Sequence, residues 1–415
     1  MRRPHATRYG VSPWLHGFPK SRQPNHPRHR GHLDIDVAIV GGGLTGCATA
    51  YAFAAAGVKV ALFEQDRIGQ GSTAFTGGTI AADPGLDFAV LEKLHGRRAA
   101  RHLWQAWRRA ALDAVATLRR LRVPCRLVPR DELWIAARDA AQEKRVRRDW
   151  QARRAAGVEA SLVQGMALTR EVATSASVAI RTRGHAQVDP YRACLGLASA
   201  AAKRGTQIFE RSPVGRIRFG RRDVSLQTDG GTVTAGRVIV ATGLPTPEFK
   251  SLRRHVRPVD TYLVMTGPVP AAVRKSAGRP STMLRDSHEP AHYLRWEDEN
   301  RRIVFAGAGQ DAVPARLIEK TLVQRTGQLM YELSLLYPAI SGLQADYGWS
   351  VTGGQTADGL PYIGPHRNYP HHLFAFGQAG HGIAGSFLAS RLLLREHLGT
   401  PSKADELFAF TRSTS

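Results

Sequence analysis

Asp36-Val-Ala-Ile-Val-Gly-Gly-Gly-Leu-Thr-Gly-Cys47, closed by Val58-Lys-Val-Ala-Leu-Phe-Glu64, decides the fold of this chain. Asp36 to Val40 has the apolar run of a buried parallel strand. Leu44 to Ala56 is a helix of small residues that stops at Gly57, and Val58 to Phe63 is a second strand. The three form a β-α-β unit around a dinucleotide-binding turn. Gly41 permits the tight turn, Gly43 lets the backbone approach a pyrophosphate, and Gly46 lets helix and strand pack closely. The phosphates then face the N–H groups of Leu44, Thr45 and their neighbours at the positive end of the helix dipole. Glu64, followed by Gln65, ends the second strand, where a carboxylate accepts both ribose hydroxyls and repels a 2′-phosphate. The expected ligand therefore contains ADP and is not NADP.

Glycine spacing alone carries little weight in a chain with 41 glycines. The same pattern recurs at Gly380-His-Gly-Ile-Ala-Gly385, after the apolar run Leu373 to Phe376 and at the start of a helix, but no second strand ending in an acid follows it. Free N–H groups from Gly380 to Ile383 would nonetheless stabilise negative charge at that helix start.

At 415 residues the chain is too long for one hydrophobic core, so two domains are expected. Cys47, Cys125 and Cys194 show no C-x-x-C spacing and suit a reducing compartment, hence a cytoplasmic protein. No run of 18 apolar residues occurs, and no apolar stretch follows the paired arginines near the start, so neither a membrane span nor a cleaved signal is expected. Residues 1–33 carry seven Lys/Arg, no acid and five prolines, which reads as an extended, poorly packed lead-in tacked down by Trp14, Leu15 and Phe18. The net charge of +24 attracts polyanions. Only nine of the 58 basic residues are lysine, however, so the charge reads as an arginine bias on solvated faces, densest over 97–154, and no specific nucleic-acid partner is expected.

Further along, Gly69 to Gly78 is a small, polar loop, and residues 88–122 read as one or two amphipathic helices with Leu103, Trp104, Trp107, Leu112, Val115 and Leu118 as the core stripe. A strand at Leu133 to Ala136 and a helix over Ala140 to Ala155 follow. Asp189 caps a helix from Tyr191 to Lys203 with Pro190 at its first position. Strands are predicted at Gln207 to Glu210, Val214 to Phe219, Val224 to Gln227, Arg237 to Gly243, Thr261 to Met265, His292 to Trp296 and Arg302 to Ala306. A helix from about Ala315 to Leu336 precedes strands at Tyr362-Ile363 and Leu373 to Phe376 and a helix from Ile383 to His397.

In this order, the N-terminal turn with Glu64, the Gly71-Ser-Thr loop, Val188-Asp-Pro, Ala241-Thr-Gly243, Tyr293-Leu-Arg295, Thr356-Ala-Asp-Gly-Leu-Pro-Tyr-Ile-Gly364 and Gly377-Gln-Ala-Gly-His-Gly-Ile383 resemble the FAD-dependent D-amino-acid oxidase superfamily. The likeness is to its glycine-oxidase, sarcosine-oxidase and γ-glutamylputrescine-oxidase-like branch, which Pro13-Trp14-Leu15 also matches. The resemblance implies an α/β (α+β) fold in which a Rossmann-like FAD-binding domain (34–84, 186–258 and 345–399) is interleaved with a substrate domain (85–185 and 259–344) whose antiparallel sheet covers the flavin. Residues 1–33 would be an extension and 400–415 a tail. It further implies that Ser72 and Thr73 lie along the pyrophosphate or flavin, that the backbone of Val214 meets adenine, and that Ala241, Thr242 and Gly243 close over the ADP half. Asp358, Gly377, Gly380, His381, Gly382 and Ile383 would adjoin the flavin. Phe75 stands where some relatives carry a flavin-linking histidine, and no cysteine follows Cys194, so FAD is expected to be non-covalent. No metal is called for.

Flavin amine oxidation needs orientation and a dry site more than protein chemistry. Arg295 is the candidate clamp for a substrate carboxylate, Tyr293 and Tyr262 are candidate pocket walls, and His381 is a candidate proton carrier. No lysine lies between Lys275 and Lys320 to promote reaction with oxygen, as some oxidases of the branch do, so the acceptor is oxygen or another species. The expected activity is oxidation of the C–N bond of an amino acid or related amine to an imine. The rivals are oxidation of a hydroxy acid or polyol phosphate, and an idle flavin fold that binds polyanions.

Overall fold

The computed structural model describes residues 6–137, 139–277, 281–378 and 382–412. Among these residues two sheets organise the chain, one of eight strands and one of ten. The smaller has the order Tyr362–His366, Tyr369–Phe376, Gly231–Gly243, Gly31–Val40, Val60–Phe63, Gln207–Phe209. Neighbours in this order run parallel except at the Tyr362–His366 edge, and the two remaining strands, Val224–Thr228 and Val214–Phe219, extend from Gly231–Gly243 as an antiparallel ribbon. Strands covered on both faces must be apolar throughout. Val37 and Ile39 accordingly enter the core under the helices Leu44–Ala55, Pro190–Ala202 and Gly382–His397, while Ala38 faces a second core with Phe249, Leu252 and Phe374.

The larger sheet runs Arg8–Tyr9, Ala345–Gln355, Arg257–Thr266, Arg302–Asp311, Tyr293–Glu297, Thr282–Asp286, Val128–Ile135, Val178–Gln187, Thr79–Ile80, with Ser161–Gln164 also paired to Val178–Gln187 as its tenth strand. Side chains alternate across it. One face presents Leu263, Met265, Val304, Ala306 and Trp349 to Trp14, Ala74 and Tyr191. The other presents Tyr262, Val264 and Phe305 to Leu322, Leu329 and Leu333 of the helix Ile318–Leu336.

Several elements depart from the sequence reading. Ala345–Gln355, placed by sequence with the nucleotide-binding segments, is a strand of the larger sheet, paired along its length with Arg257–Thr266. Its three glycines and interspersed polar side chains break any alternation, so pairing rather than propensity makes it a strand. Val178–Gln187 and Thr282–Asp286 escaped notice for the same reason. The stretch 88–122, read as one or two helices, is two, Phe88–His95 and Arg97–Arg120, divided at Gly96, whose φ of +80° no helix continues. Leu112, assigned to the core stripe, is 46% exposed.

The lead-in is not loose. Arg8–Tyr9 adds a parallel strand beside Tyr347–Gly348. Trp14 is buried, and its Nε1 donates to the Thr76 carbonyl at 2.9 Å. The Ser12 hydroxyl caps its own short helix and donates to the Ala74 carbonyl. Trp14 thus tacks the segment down as its sequence suggested, and the packing around it is closer than the run of prolines and arginines implied. The tail is packed too: Phe408 lies against Trp107, and Phe410 stacks on Tyr362. No helix of the described residues is long and apolar enough to cross a membrane.

Candidate flavin and substrate site

The parallel strands Gly31–Val40 and Val60–Phe63 end together, and Gly41 turns the chain back with φ +109°. A Cβ on Gly41 would stand 2.7 Å from the Ala241 carbonyl oxygen, and one on Gly46 would stand 1.8 Å from the Gly41 carbonyl. Both positions therefore require glycine. Gly43 is the N-cap of the helix Leu44–Ala55, and no side chain caps it. The amides of the first turn, where Thr45 and Gly46 lie, are thus offered to an external acceptor. The Leu44 amide is an exception: it donates to Thr73 Oγ1 at 2.9 Å. Thr73 therefore orients the turn, and Ser72, which donates to the Thr352 carbonyl at 3.1 Å, ties the same short helix to the larger sheet.

Glu64 sits beside this turn. Its Oε2 accepts the Gly42 N–H at 2.7 Å and its Oε1 the Asp66 N–H at 2.9 Å, which fixes the carboxylate while leaving a lone pair on each oxygen. Burial raises its pKa against the pull of those N–H groups. Gln65 is exposed next to it. Ser212 N–H donates to the Glu64 carbonyl at 2.9 Å, which brings Val214 alongside, and Ala241 to Gly243 lie over Gly41. An uncapped helix start, a fixed acid and glycines that exclude any Cβ fit an ADP group.

The second glycine turn reaches the first. Thr45 Oγ1 donates to Gln378 Oε1 at 2.8 Å and lies 3.0 Å from the Ser386 hydroxyl. Gly377 has φ +78°, and a Cβ there would press Thr356 Cγ2 at 2.4 Å; Gly382, φ +54°, would place one 2.7 Å from the Thr79 carbonyl. Ile383 is buried behind the helix start. Gly380 and His381 lie outside the described residues.

Three of the candidate residues are engaged by the protein itself. The carboxylate of Asp358 is gripped by Arg412 of the tail, at 2.7 and 2.9 Å. Arg295 is no free clamp. It is buried, donates to the carbonyls of Gly77 at 2.6 Å and Val188 at 3.4 Å, pairs with Glu297 at 2.6 Å, and stacks 5.0 Å over Trp14. Every arm of its guanidinium is occupied. Tyr262 points to the far face, toward Arg325 and Gln310.

Tyr293 does face inward, next to a residue that motif reading passed over. Arg285 pairs with Tyr293 in register, donates to the Gly85 carbonyl at 2.8 Å, lies 3.4 Å from Glu132, and stacks 4.7 Å over Trp134. It is buried; the Tyr293 phenol interacts with its guanidinium, and neither Nε nor Nη2 has an acceptor in close hydrogen-bond geometry. Burial alone would lower its pKa, but the carboxylates of Asp83 and Glu132 outweigh that and raise it. Burial raises the Tyr293 phenol, against the charge of Arg285. The segment from Thr79 to Asp87 links this cluster to the Gly382 turn. Nothing in Met283-Leu-Arg285-Asp marks the arginine in sequence, because its strand becomes visible only through pairing with Val128–Ile135.

Comparison with known proteins agrees with this geometry. The family of FAD dependent oxidoreductases designated DAO matches residues 36–395. The γ-glutamylputrescine oxidoreductase of Escherichia coli is 26% identical over 380 residues, 90% of this chain and 86% of that protein. The crystal structure of glycine oxidase from Geobacillus kaustophilus superimposes with a TM-score of 0.75 at 23% identity, covering 92% of this chain and 100% of that one. L-α-glycerophosphate oxidase from Mycoplasma pneumoniae with FAD bound gives 0.71 at 16% identity, covering 87% and 94%. With the family match spanning the nucleotide turn, both sheets and the second glycine turn, the chain belongs to the DAO family of FAD-dependent oxidoreductases.

Proposed function

We propose that the protein binds FAD non-covalently and oxidises the C–N bond of an amino acid or related amine to an imine, which water then hydrolyses to a carbonyl compound. One observation carries the substrate reading: the buried guanidinium of Arg285, with Nη2 lacking an acceptor, beside the Tyr293 phenol. A desolvated guanidinium with a free N–H suits a carboxylate. Two relatives bear the names of amine or amino-acid substrates, γ-glutamylputrescine and glycine, which favours an amine over a hydroxy acid.

Bound FAD supplies the hydride acceptor. The chain's own part is placement. Glu64 holds the ribose, and the uncapped turn at Gly43 to Gly46 holds the pyrophosphate. Arg285 and Tyr293 orient the substrate, while the apolar face of Leu263, Val304 and Ala306 excludes water. Non-covalent attachment is supported by Phe75 at the histidine position and by the burial of all three unpaired cysteines, which also favour a reducing, cytoplasmic setting. Oxygen or another molecule takes the electrons onward. On this reading the smaller sheet serves FAD and the larger sheet the substrate.

The test is anaerobic addition of amines, amino acids, hydroxy acids and polyol phosphates to the purified flavoprotein while the visible flavin absorbance is followed. Bleaching by an amine or amino acid is expected. Bleaching by hydroxy acids or polyol phosphates alone would overturn the proposal.

A further inference from the structure

The loop Asp286-Ser-His-Glu-Pro-Ala-His292 joins the strands Thr282–Asp286 and Tyr293–Glu297 and gathers two imidazoles and a carboxylate. Nδ1 of His288 and Nδ1 of His292 each lie 2.7 Å from the same atom, Oδ2 of Asp286. One donor atom from each residue falls within 4.8 Å of the other two. The carboxylate is pre-set: its Oδ1 accepts the backbone N–H groups of His288 at 3.2 Å and His292 at 2.8 Å, which aims Oδ2 at the shared point. His292 is equally constrained. Its ring stacks on Phe305 at 5.1 Å, and its Nε2 lies 3.0 Å from Glu332 Oε2, a carboxylate whose Oε1 is held by Gln328 at 2.8 Å.

We infer that Asp286, His288 and His292 bind one divalent transition-metal ion of the zinc class, with Glu332 as the outer partner that orients His292. Two imidazoles and one carboxylate suit zinc and its neighbours, whereas magnesium and calcium require oxygen ligands throughout. Zinc bonds of about 2.0–2.2 Å place tetrahedral ligand atoms about 3.3 Å apart, so the present contacts open by roughly half an ångström on binding. The His288 side chain, 58% exposed, has room for that movement, and the open side takes water as the fourth ligand. Glu332 accepts the Nε2 proton of His292 and so turns the Nδ1 lone pair toward the ion, the carboxylate–histidine–metal arrangement.

Asp83, Glu132 and His185 also bring one donor atom each within 4.8 Å of one another, but arginines already occupy the charge of that cluster. Arg285 stands 3.4 Å from Glu132, and the charges of Arg285 and Arg153 already act on Asp83. At the Asp286 cluster the adjacent arginine, Arg145, pairs instead with Asp87 and Glu289.

The location gives the ion a purpose. Asp286 and His292 immediately flank Arg285 and Tyr293 in sequence, and alternation puts the two pairs on opposite faces of the sheet. An ion on the outer face therefore clamps the hairpin that presents Arg285 and Tyr293 on the inner face. Binding itself does not depend on the proposed amine oxidation.

The experiment is calorimetric titration of the full-length, FAD-loaded protein, stripped with EDTA, with zinc chloride. Wild type is expected to show one saturable site. His288→Ala and Asp286→Asn lose it or weaken it by about tenfold or more, and Glu332→Gln weakens it by roughly tenfold or more through the outer contact. Retained flavin absorbance shows that each variant is folded; His288 is exposed enough for its substitution to spare the fold. Absence of saturable binding in wild type, or undiminished binding in His288→Ala and Asp286→Asn because zinc sits on other histidines, would overturn the inference.

Discussion

The hydroxyl of Thr45 meets the side-chain oxygen of Gln378 at 2.8 Å, although 333 residues separate them in sequence. This bond couples the helix start at the nucleotide turn to the second glycine turn, so on the proposed reading both parts of the FAD site would belong to one hydrogen-bonded unit. Thr45→Val keeps the shape of the side chain and leaves the Gln378 oxygen without its donor. We expect FAD affinity to fall several-fold, in line with a loss of about 0.5–1.5 kcal/mol. Titration of the apoprotein with FAD measures it, and an unchanged affinity would show that the two turns bind independently.

Glu64→Gln removes the charge from a carboxylate fixed by two backbone amides. Hydrogen bonds to a charged group contribute about 1.5–3 kcal/mol, so FAD should bind roughly tenfold to a hundredfold more weakly. Because burial raises the Glu64 pKa, its proton arrives at a higher pH than for an ordinary glutamate. Wild type is therefore expected to lose FAD affinity on mild acidification, with a flatter profile in the variant. Identical pH profiles would remove Glu64 from the ribose contact.

Arg285→Lys retains a cation beside Asp83 and Glu132 but loses the planar fork. For a carboxylated amine, KM should rise about tenfold or more with a smaller change in kcat, and for an amine without a carboxylate both should stay close to wild type. Equal losses on the two substrates would make Arg285 a structural residue.

Asp358 and Arg412 form a buried pair with side-chain exposures of 3% and 4%. Burial pushes the Asp358 carboxyl up, but the Arg412 hydrogen bonds and charge outweigh that and hold it below the usual range. A depressed folded-state pKa adds stability above the unfolded value near 4, and that stability disappears as pH falls through the folded value. Arg412→Met strands a buried carboxylate and should cost about 3–5 kcal/mol at neutral pH, less in acid where Asp358 protonates. Thermal melts at pH 7 and pH 3.5 are the measurement, and a cost that does not shrink in acid would contradict the pairing.

Trp14 fills the gap between the Ser72–Phe75 turn and the larger sheet and stacks on Arg295. Trp14→Ala should destabilise the protein by about 3–5 kcal/mol and loosen FAD through the displaced turn. A melting temperature within a degree of wild type would return the lead-in to the status of a loose extension.

The nucleotide turn was legible because its demands are local. Gly41, Gly43, Gly46 and Glu64 lie within 24 residues and serve one ligand through backbone geometry, so spacing and strand context suffice. The helix at Pro190–Ala202 was legible for a similar reason, with Asp189 accepting from Arg192 N–H as a cap. Arg295 and Arg285 show the limit. Both lie on inward faces of adjoining hairpin strands, and a Tyr-Leu-Arg motif pointed to the first. Only the tertiary structure shows Arg295 saturated by Glu297, Gly77 and Val188 while Arg285 keeps an unpaired nitrogen.

By itself, then, the sequence determined the β-α-β unit with its glycine turn and the acid ending its second strand, and the order of most helices and strands, because these follow from periodicity, capping and glycine conformation within short windows. The tertiary structure alone decided how each arginine's guanidinium is engaged, that Ala345–Gln355 pairs within the larger sheet, that Arg8–Tyr9 adds a strand to it, and that Asp286, His288 and His292 converge. Each of these depends on partners far apart in the chain, and a side chain's remaining hydrogen-bonding capacity exists only once those partners have met.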